Sequence, residues 1–227
     1  MRAVVFDMDG LMFNTEDVFT AVGTEMLRRR GRAFTAELKD KMMGLQPRPA
    51  FEAMIDHCRL DDAWQDMAVE SNRLFLEMLP DYLAPMPGLF DLLDALERAE
   101  IPKAIGTSSG HELVAACLKP FEMEGRFRFI LAAEDIVNGK PHPEIYLTAA
   151  RRFDIRPSEM LVLEDSAKGC QAAAAAGAYA VAVPGEHSRR HDFSAATLVV
   201  ESLADPRLHE AIGLPAGCTN TPRKGYP

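Results

Sequence analysis

With 227 residues, 48 % of them hydrophobic, the chain can bury the core of one large domain, or of a domain with a smaller companion. A formal net charge of -9 argues against nucleic acid or an anionic membrane as the main partner, and obliges any anionic substrate to meet a local cation. Cys58, Cys117, Cys170 and Cys218 are scattered without a CxxC pair and read as reduced, mostly buried thiols. No signal segment precedes the first strand and no apolar run could span a bilayer, so the expectation is a cytoplasmic protein.

The chain opens with "AVVFD" (3–7), an apolar run without alternation, as in a strand covered on both faces. It ends in Asp7, with Asp9 and Gly10 just beyond. A DG pair makes a turn, but two carboxylates brought together cost desolvation and repulsion unless a cation or a task offsets them. From about 14 to 82 helical periodicity replaces strands. Val18, Val22 and Met26 repeat with Phe19 alongside, then Phe51, Met54, Ile55 and Cys58, then Trp64, Met67, Ala68, Phe75 and Met78. Arg28, Arg29 and Arg30 read as a solvated face, and "LPDYLAPMPG" as a linker.

After the linker, "GLFDLLDALERAE" carries Leu89, Leu92, Leu93 and Leu96 at helical spacing, and strands are expected at 102–107, 129–135, 160–165, 179–184 and 197–200. "SAKGCQAAAAAG" reads as a helix with Ser166 as its N-cap and Gly177 as its stop. Residues 216–227 look like a loose tail. Strand alternating with helix implies parallel strands and right-handed crossovers. The predicted fold is therefore a doubly wound, Rossmann-like α/β core from 1–13 and 83–227, with a helical domain inserted at 14–82.

In such sheets ligands bind at the carboxyl ends of the strands. There the sequence places Asp7 and Asp9 after the first strand, Thr107, Ser108 and Ser109 after the second, Lys140 after the third, and Glu164 and Asp165 at the end of the fourth. The four carboxylates are hard oxygen donors without Cys or His, a set suited to Mg²⁺. Thr107 and the amides after it can donate to phosphate oxygens, and Lys140 adds a point charge.

These motifs in order, "FDMDGLMFNTE", "GTSS", "GKPHPEIY" and "LEDSAKG", resemble the haloacid dehalogenase-like hydrolase superfamily, in the branch with a helical cap after the first strand. The match runs from 3 to about 185. The resemblance implies that Asp7 is a nucleophile forming an aspartyl-phosphate, and that Asp9 protonates the leaving oxygen and then deprotonates water. Thr107 and the Ser108 amide would hold the phosphoryl oxygens, and Lys140 would neutralise charge. Mg²⁺ would sit on Asp7, the Asp9 carbonyl, Asp165 and Glu164. Arg48, in a loop that faces the site in relatives, is a candidate substrate contact. The cap is expected to close over the carboxyl edge of the sheet.

Asn14, where the family usually has Asp, reads as an N-cap or hinge. Met12 and Phe13 read as pocket walls. His187 and His191 stand four apart, but "PGEHSRRH" follows a strand and reads as loop rather than as a zinc site. The expected activity is a Mg²⁺-dependent phosphatase for a small phosphorylated metabolite, with a monomer admissible. A sugar phosphomutase such as β-phosphoglucomutase is the alternative. That subgroup uses a His in the first cap helix and a Lys shortly after the second motif, whereas here no His precedes His57 and "TSSGHE" has no Lys. A phospho-acceptor signalling module also uses Asp, Thr and Lys, but the inserted helices and the Asp-x-Asp spacing argue against it. A dehalogenase would not need Asp9.

Overall fold

The computed structural model describes residues 1–42, 45 and 47–214. The tail expected at 216–227 and Cys218 lie outside the described residues. In chain order the elements are β1 (Ala3–Phe6), α1 (Thr15–Arg29), α2 (Ala36–Met42), α3 (Pro47–Cys58), α4 (Trp64–Tyr82), α5 (Leu89–Arg98), β2 (Lys103–Gly106), α6 (His111–Leu118), β3 (Ile130–Leu131), α7 (Glu144–Phe153), β4 (Met160–Glu164), α8 (Ala167–Ala176), β5 (Tyr179–Ala182), β6 (Leu198–Val199) and α9 (Pro206–Ile212). They form two compact units, one of residues 1–14 and 84–227, the other of 15–83.

The first unit holds a six-stranded sheet in the order β3-β2-β1-β4-β5-β6, parallel throughout. All residues of β1, β2 and β4 are buried, as their unalternating apolar sequences require. From β1 the chain winds one way through β2 and β3 and the other way through β4, β5 and β6. The reversal at β1 and β4 opens a crevice at their carboxyl ends, which positions the site. One core layer packs Ala3, Val5, Val162 and Ala180 from the strands against Ile145, Tyr146 and Ala149 of α7 and Ala172 and Ala173 of α8. Alanines give α8 its helix propensity and let it lie close to the sheet. Ser166 caps it by accepting the Gly169 N–H at 3.1 Å, and Gly177 ends it at φ +80°.

Strand β3 is shorter than its sequence predicts. The run 129–135 gives only Ile130–Leu131, and Ala133–Asp135 form a single 3₁₀ turn. The Asp135 side chain accepts the Ala132 N–H at 2.9 Å, a local bond that turns the backbone out of the ladder.

The second unit is helical. Helix α1 buries Val18, Val22 and Met26, and Phe19 meets Phe75 of α4 with ring centroids 4.6 Å apart. Helix α4 continues through Pro80, which was expected in the linker. Pro80 sits exposed in the last turn, where it sacrifices a single helix bond, while buried Leu79 accepts the Leu83 N–H at 2.9 Å. The arginine run is not one solvated face. Arg28 is exposed, but Arg30 is largely buried and pairs with Asp62 at 2.6 Å and Glu70 at 2.8 Å. No described helix is long and apolar enough to cross a membrane.

Candidate active site

The site begins where β1 runs out. The Asp7 N–H still bonds Leu163 O of β4 at 2.9 Å, so its backbone belongs to the ladder while its side chain reaches the crevice. A tight turn follows, closed by Met12 N–H to Met8 O and Gly10 N–H to Phe13 O, both 2.9 Å. Gly10 has φ +74°, and a Cβ there would lie 2.5 Å from Asp165 Oδ2. The glycine after the two aspartates therefore makes room for a third carboxylate. Met12 and Phe13 are fully buried, with Phe13 stacked on Phe121 at 5.3 Å. Neither has accessible surface, so they are core residues and not the pocket walls expected.

Lys140 enters from the loop before α7, its side chain 6 % exposed. It donates to Asp7 Oδ1 at 2.5 Å, Glu164 Oε1 at 2.6 Å and Gly106 O at 3.0 Å. Glu164 Oε1 also accepts from the Tyr146 hydroxyl, and Oε2 accepts from Ser166 Oγ at 3.0 Å. The Tyr146 ring lies under Lys140, with its centroid 5.3 Å from Nζ. Burial pushes the Asp7 carboxyl well above the ordinary aspartate range, and Glu164 and Asp9 add to this against the opposing pull of Lys140. Burial alone would lower Lys140, but the charges of Asp7 and Glu164 outweigh it and hold the ammonium above its usual range. Burial likewise raises the Tyr146 hydroxyl.

One oxygen from each of Asp7, Glu164 and Asp165 lies within 4.8 Å of the others. An all-carboxylate donor set suits Mg²⁺ and not a soft metal. His187 and His191 lie in turns after β5, not on a helix.

Asp9 points to β2. Its Oδ2 accepts from Thr107 Oγ1 at 3.0 Å and from Ser109 Oγ at 2.7 Å, and Oδ1 is buried with no hydrogen-bond partner among the described residues. Thr107 Oγ1 also accepts the Ser109 N–H at 3.0 Å. Ser108 is exposed at this turn. Ser109 and Tyr146 are contacts that the strand-end reading assigned no role. Tyr146 hides on the buried face of a helix, and its only signal is a hydroxyl at an apolar heptad-like position in "EIYLTAA".

Arg48 belongs to the helical unit. It is in the first turn of α3, not in a loop, exposed, with its guanidinium on Glu52 at 2.8 Å and over the Trp64 ring at 5.8 Å. Asn14 makes a two-way pair with Ala84: its N–H donates to Ala84 O at 3.1 Å, and its Oδ1 accepts the Ala84 N–H at 2.6 Å. Cys58, Cys117 and Cys170 are buried free thiols.

The family profile described as haloacid dehalogenase-like hydrolase matches residues 4–183. A Drosophila melanogaster protein named probable pseudouridine-5′-phosphatase is 37 % identical over 220 residues, spanning 93 % of this chain and 94 % of that one. Among solved structures, a mutant of CbbY from Rhodobacter sphaeroides in complex with xylulose-(1,5)-bisphosphate superposes with a TM-score of 0.81 at 26 % identity, covering 90 % of this chain and 96 % of that one. β-Phosphoglucomutase from Clostridium difficile has a TM-score of 0.74 at 20 % identity, covering 94 % and 97 %, and shares the fold.

Proposed function

The chain belongs to the haloacid dehalogenase-like hydrolases, and from that premise we propose that it is a Mg²⁺-dependent phosphatase of a small phosphorylated sugar or nucleoside, acting through an aspartyl-phosphate. The observation that carries this reading is the cluster at the carboxyl ends of β1 and β4: buried Asp7 with Lys140 at 2.5 Å, and Glu164 and Asp165 beside it. Lys140 is shared between Asp7 and Glu164, with Asp9 and Asp165 on the neighbouring turns, so a phosphate anion needs a further cation there. Asp7, Asp165, Glu164 and the Asp9 carbonyl would hold Mg²⁺, which when bound supplies positive charge to the transferring phosphoryl oxygens.

Asp7 attacks phosphorus and forms the acyl-phosphate bond as the bond from phosphorus to the substrate oxygen breaks. Asp9 gives that oxygen its proton, so the product leaves as an alcohol. Asp9, now ionised, takes a proton from water. The hydroxide displaces Asp7 from phosphorus and free phosphate departs. Thr107 and the Ser108 amide donate to phosphoryl oxygens, and Lys140 orients Asp7 and offsets its charge. The helical unit 15–83 selects the substrate in this reading. The likeness to a pseudouridine-5′-phosphatase makes pseudouridine 5′-phosphate the first substrate to test.

The test scores phosphate released from that compound and a panel of sugar phosphates, with Mg²⁺ and with chelator. Turnover should require the metal and disappear in Asp7→Asn, and phosphate should be recovered on Asp7 of the native chain after acid quench. Undiminished turnover in chelator or in Asp7→Asn overturns the reading. β-Glucose 1-phosphate should give free phosphate; efficient conversion to glucose 6-phosphate would install the mutase instead.

A further inference from the structure

We propose that Ser109 is a positioning residue for Asp9, holding its carboxyl in place at the moment when Thr107 can no longer do so. The proposal rests on the phosphatase reading above and deepens it.

Two hydroxyls donate to one oxygen, Asp9 Oδ2: Thr107 Oγ1 at 3.0 Å and Ser109 Oγ at 2.7 Å. A hydroxyl carries a single proton. The Ser109 N–H already donates to Thr107 Oγ1 at 3.0 Å, so the proton of Thr107 is directed to Asp9. A phosphoryl group can be gripped by Thr107 only if that same proton is turned onto a phosphoryl oxygen. The bond from Thr107 to Asp9 is then lost. Ser109 Oγ is the donor that remains on Oδ2.

The consequence falls on the other oxygen. Asp9 Oδ1 is buried and has no hydrogen-bond partner among the described residues. A buried carboxylate oxygen left bare costs free energy unless something arrives to use it. With Oδ2 pinned by Ser109, the plane of the carboxyl is fixed for the proton transfers to the leaving group and from water. Without Ser109 the carboxyl would swing about its χ2 bond, a broad and nearly two-fold torsion. A misplacement of about 1 Å at a reacting group can cost on the order of 10²-fold in rate.

Ser109→Ala isolates this contact, because the backbone N–H that orients Thr107 is kept. Quench-flow would measure formation of phosphorylated Asp7 from an alkyl phosphate, whose leaving oxygen needs a proton, and from p-nitrophenyl phosphate, whose leaving group does not. The alkyl reaction should slow by roughly 10- to 100-fold with KM little changed. The nitrophenyl reaction should slow by less than about threefold, and phosphorylated Asp7 should accumulate because water activation also needs a well-placed Asp9. Ser109→Thr, which keeps the hydroxyl, should restore both steps, and Ser109→Cys, a weaker donor, should fall between. Equal slowing with both phosphates, or no slowing in Ser109→Ala, overturns the proposal. Failure of the phosphatase reading would show separately, as a native chain that never carries phosphate on Asp7.

Discussion

Asp7, the proposed nucleophile, illustrates how a buried carboxyl stores instability in a fold. Its carboxyl is raised well above the ordinary range, with burial as the main cause. A group raised in the folded chain contributes stability below its unfolded value, about 3.9, and that contribution is lost as pH rises through the folded value. Holding a charge on Asp7 in its buried place therefore opposes folding in the metal-free chain. Asp7→Asn removes the charge and keeps the shape, and Lys140 keeps Glu164 at 2.6 Å as a partner. The variant should melt above the native protein at pH 7 without metal, with the advantage disappearing as pH falls through the ordinary carboxylate range. Saturating Mg²⁺ should raise the melting temperature of the native chain more than that of the variant, which lacks a proposed ligand. Calorimetry across pH, with and without metal, reads both effects; a variant less stable at neutral pH would mean that the Lys140 contact outweighs burial.

At the scale of elements, Gly169 shows how a helix and a strand share one active-site residue. Replacing a helical glycine by alanine ordinarily gains up to about 1 kcal/mol. Here a Cβ would lie 1.9 Å from the carboxyl carbon of Glu164, which is 1 % exposed and bounded by Lys140, Tyr146 and Ser166. Overpacking a buried site costs about 1–3 kcal/mol, so the loss wins. Gly169→Ala should lower the melting temperature by a few degrees, at about 2–4 °C per kcal/mol for a chain of this size. It should also reduce turnover by displacing Glu164 and, with it, Lys140. A more stable and fully active variant would show that Glu164 can move at no cost. This coupling was not legible in the sequence. The strands were, since runs such as "MLVLED" are apolar without alternation, and the first four end in or lead to the candidate site residues. The residues that hold the chemistry were not, because they act across distances in sequence that no local pattern spans: Tyr146 reaches Glu164 from α7, and Ser109 reaches Asp9 from the loop after β2. The end of β3 was missed for the opposite reason, a purely local bond from Asp135 that competes with the ladder.

At the scale of the whole molecule, the chain leaves the sheet unit after Asn14 and returns at Ala84, and the two are joined by hydrogen bonds of 3.1 and 2.6 Å. All six strands and the Asp7, Asp9, Lys140, Glu164 and Asp165 cluster belong to the unit outside that excursion. Excising 15–83 and joining 14 to 84 through a short glycine-serine turn closes a gap that is already at hydrogen-bond distance, so the loop entropy to be overcome is small. The shortened chain should fold cooperatively. Its urea m-value should be lower in keeping with the smaller surface exposed on unfolding. Because the proposed chemistry lies in the sheet unit and the proposal assigns selection to the helical one, p-nitrophenyl phosphate should still be hydrolysed, while the preference among sugar and nucleoside phosphates should narrow. Circular dichroism with urea titration reads the first expectation, and the ratio of kcat/KM values across the substrate panel reads the second. A shortened chain that folds and keeps the full preference would place selectivity in the sheet unit; one that does not fold would show that the helices supply stability and not selection alone.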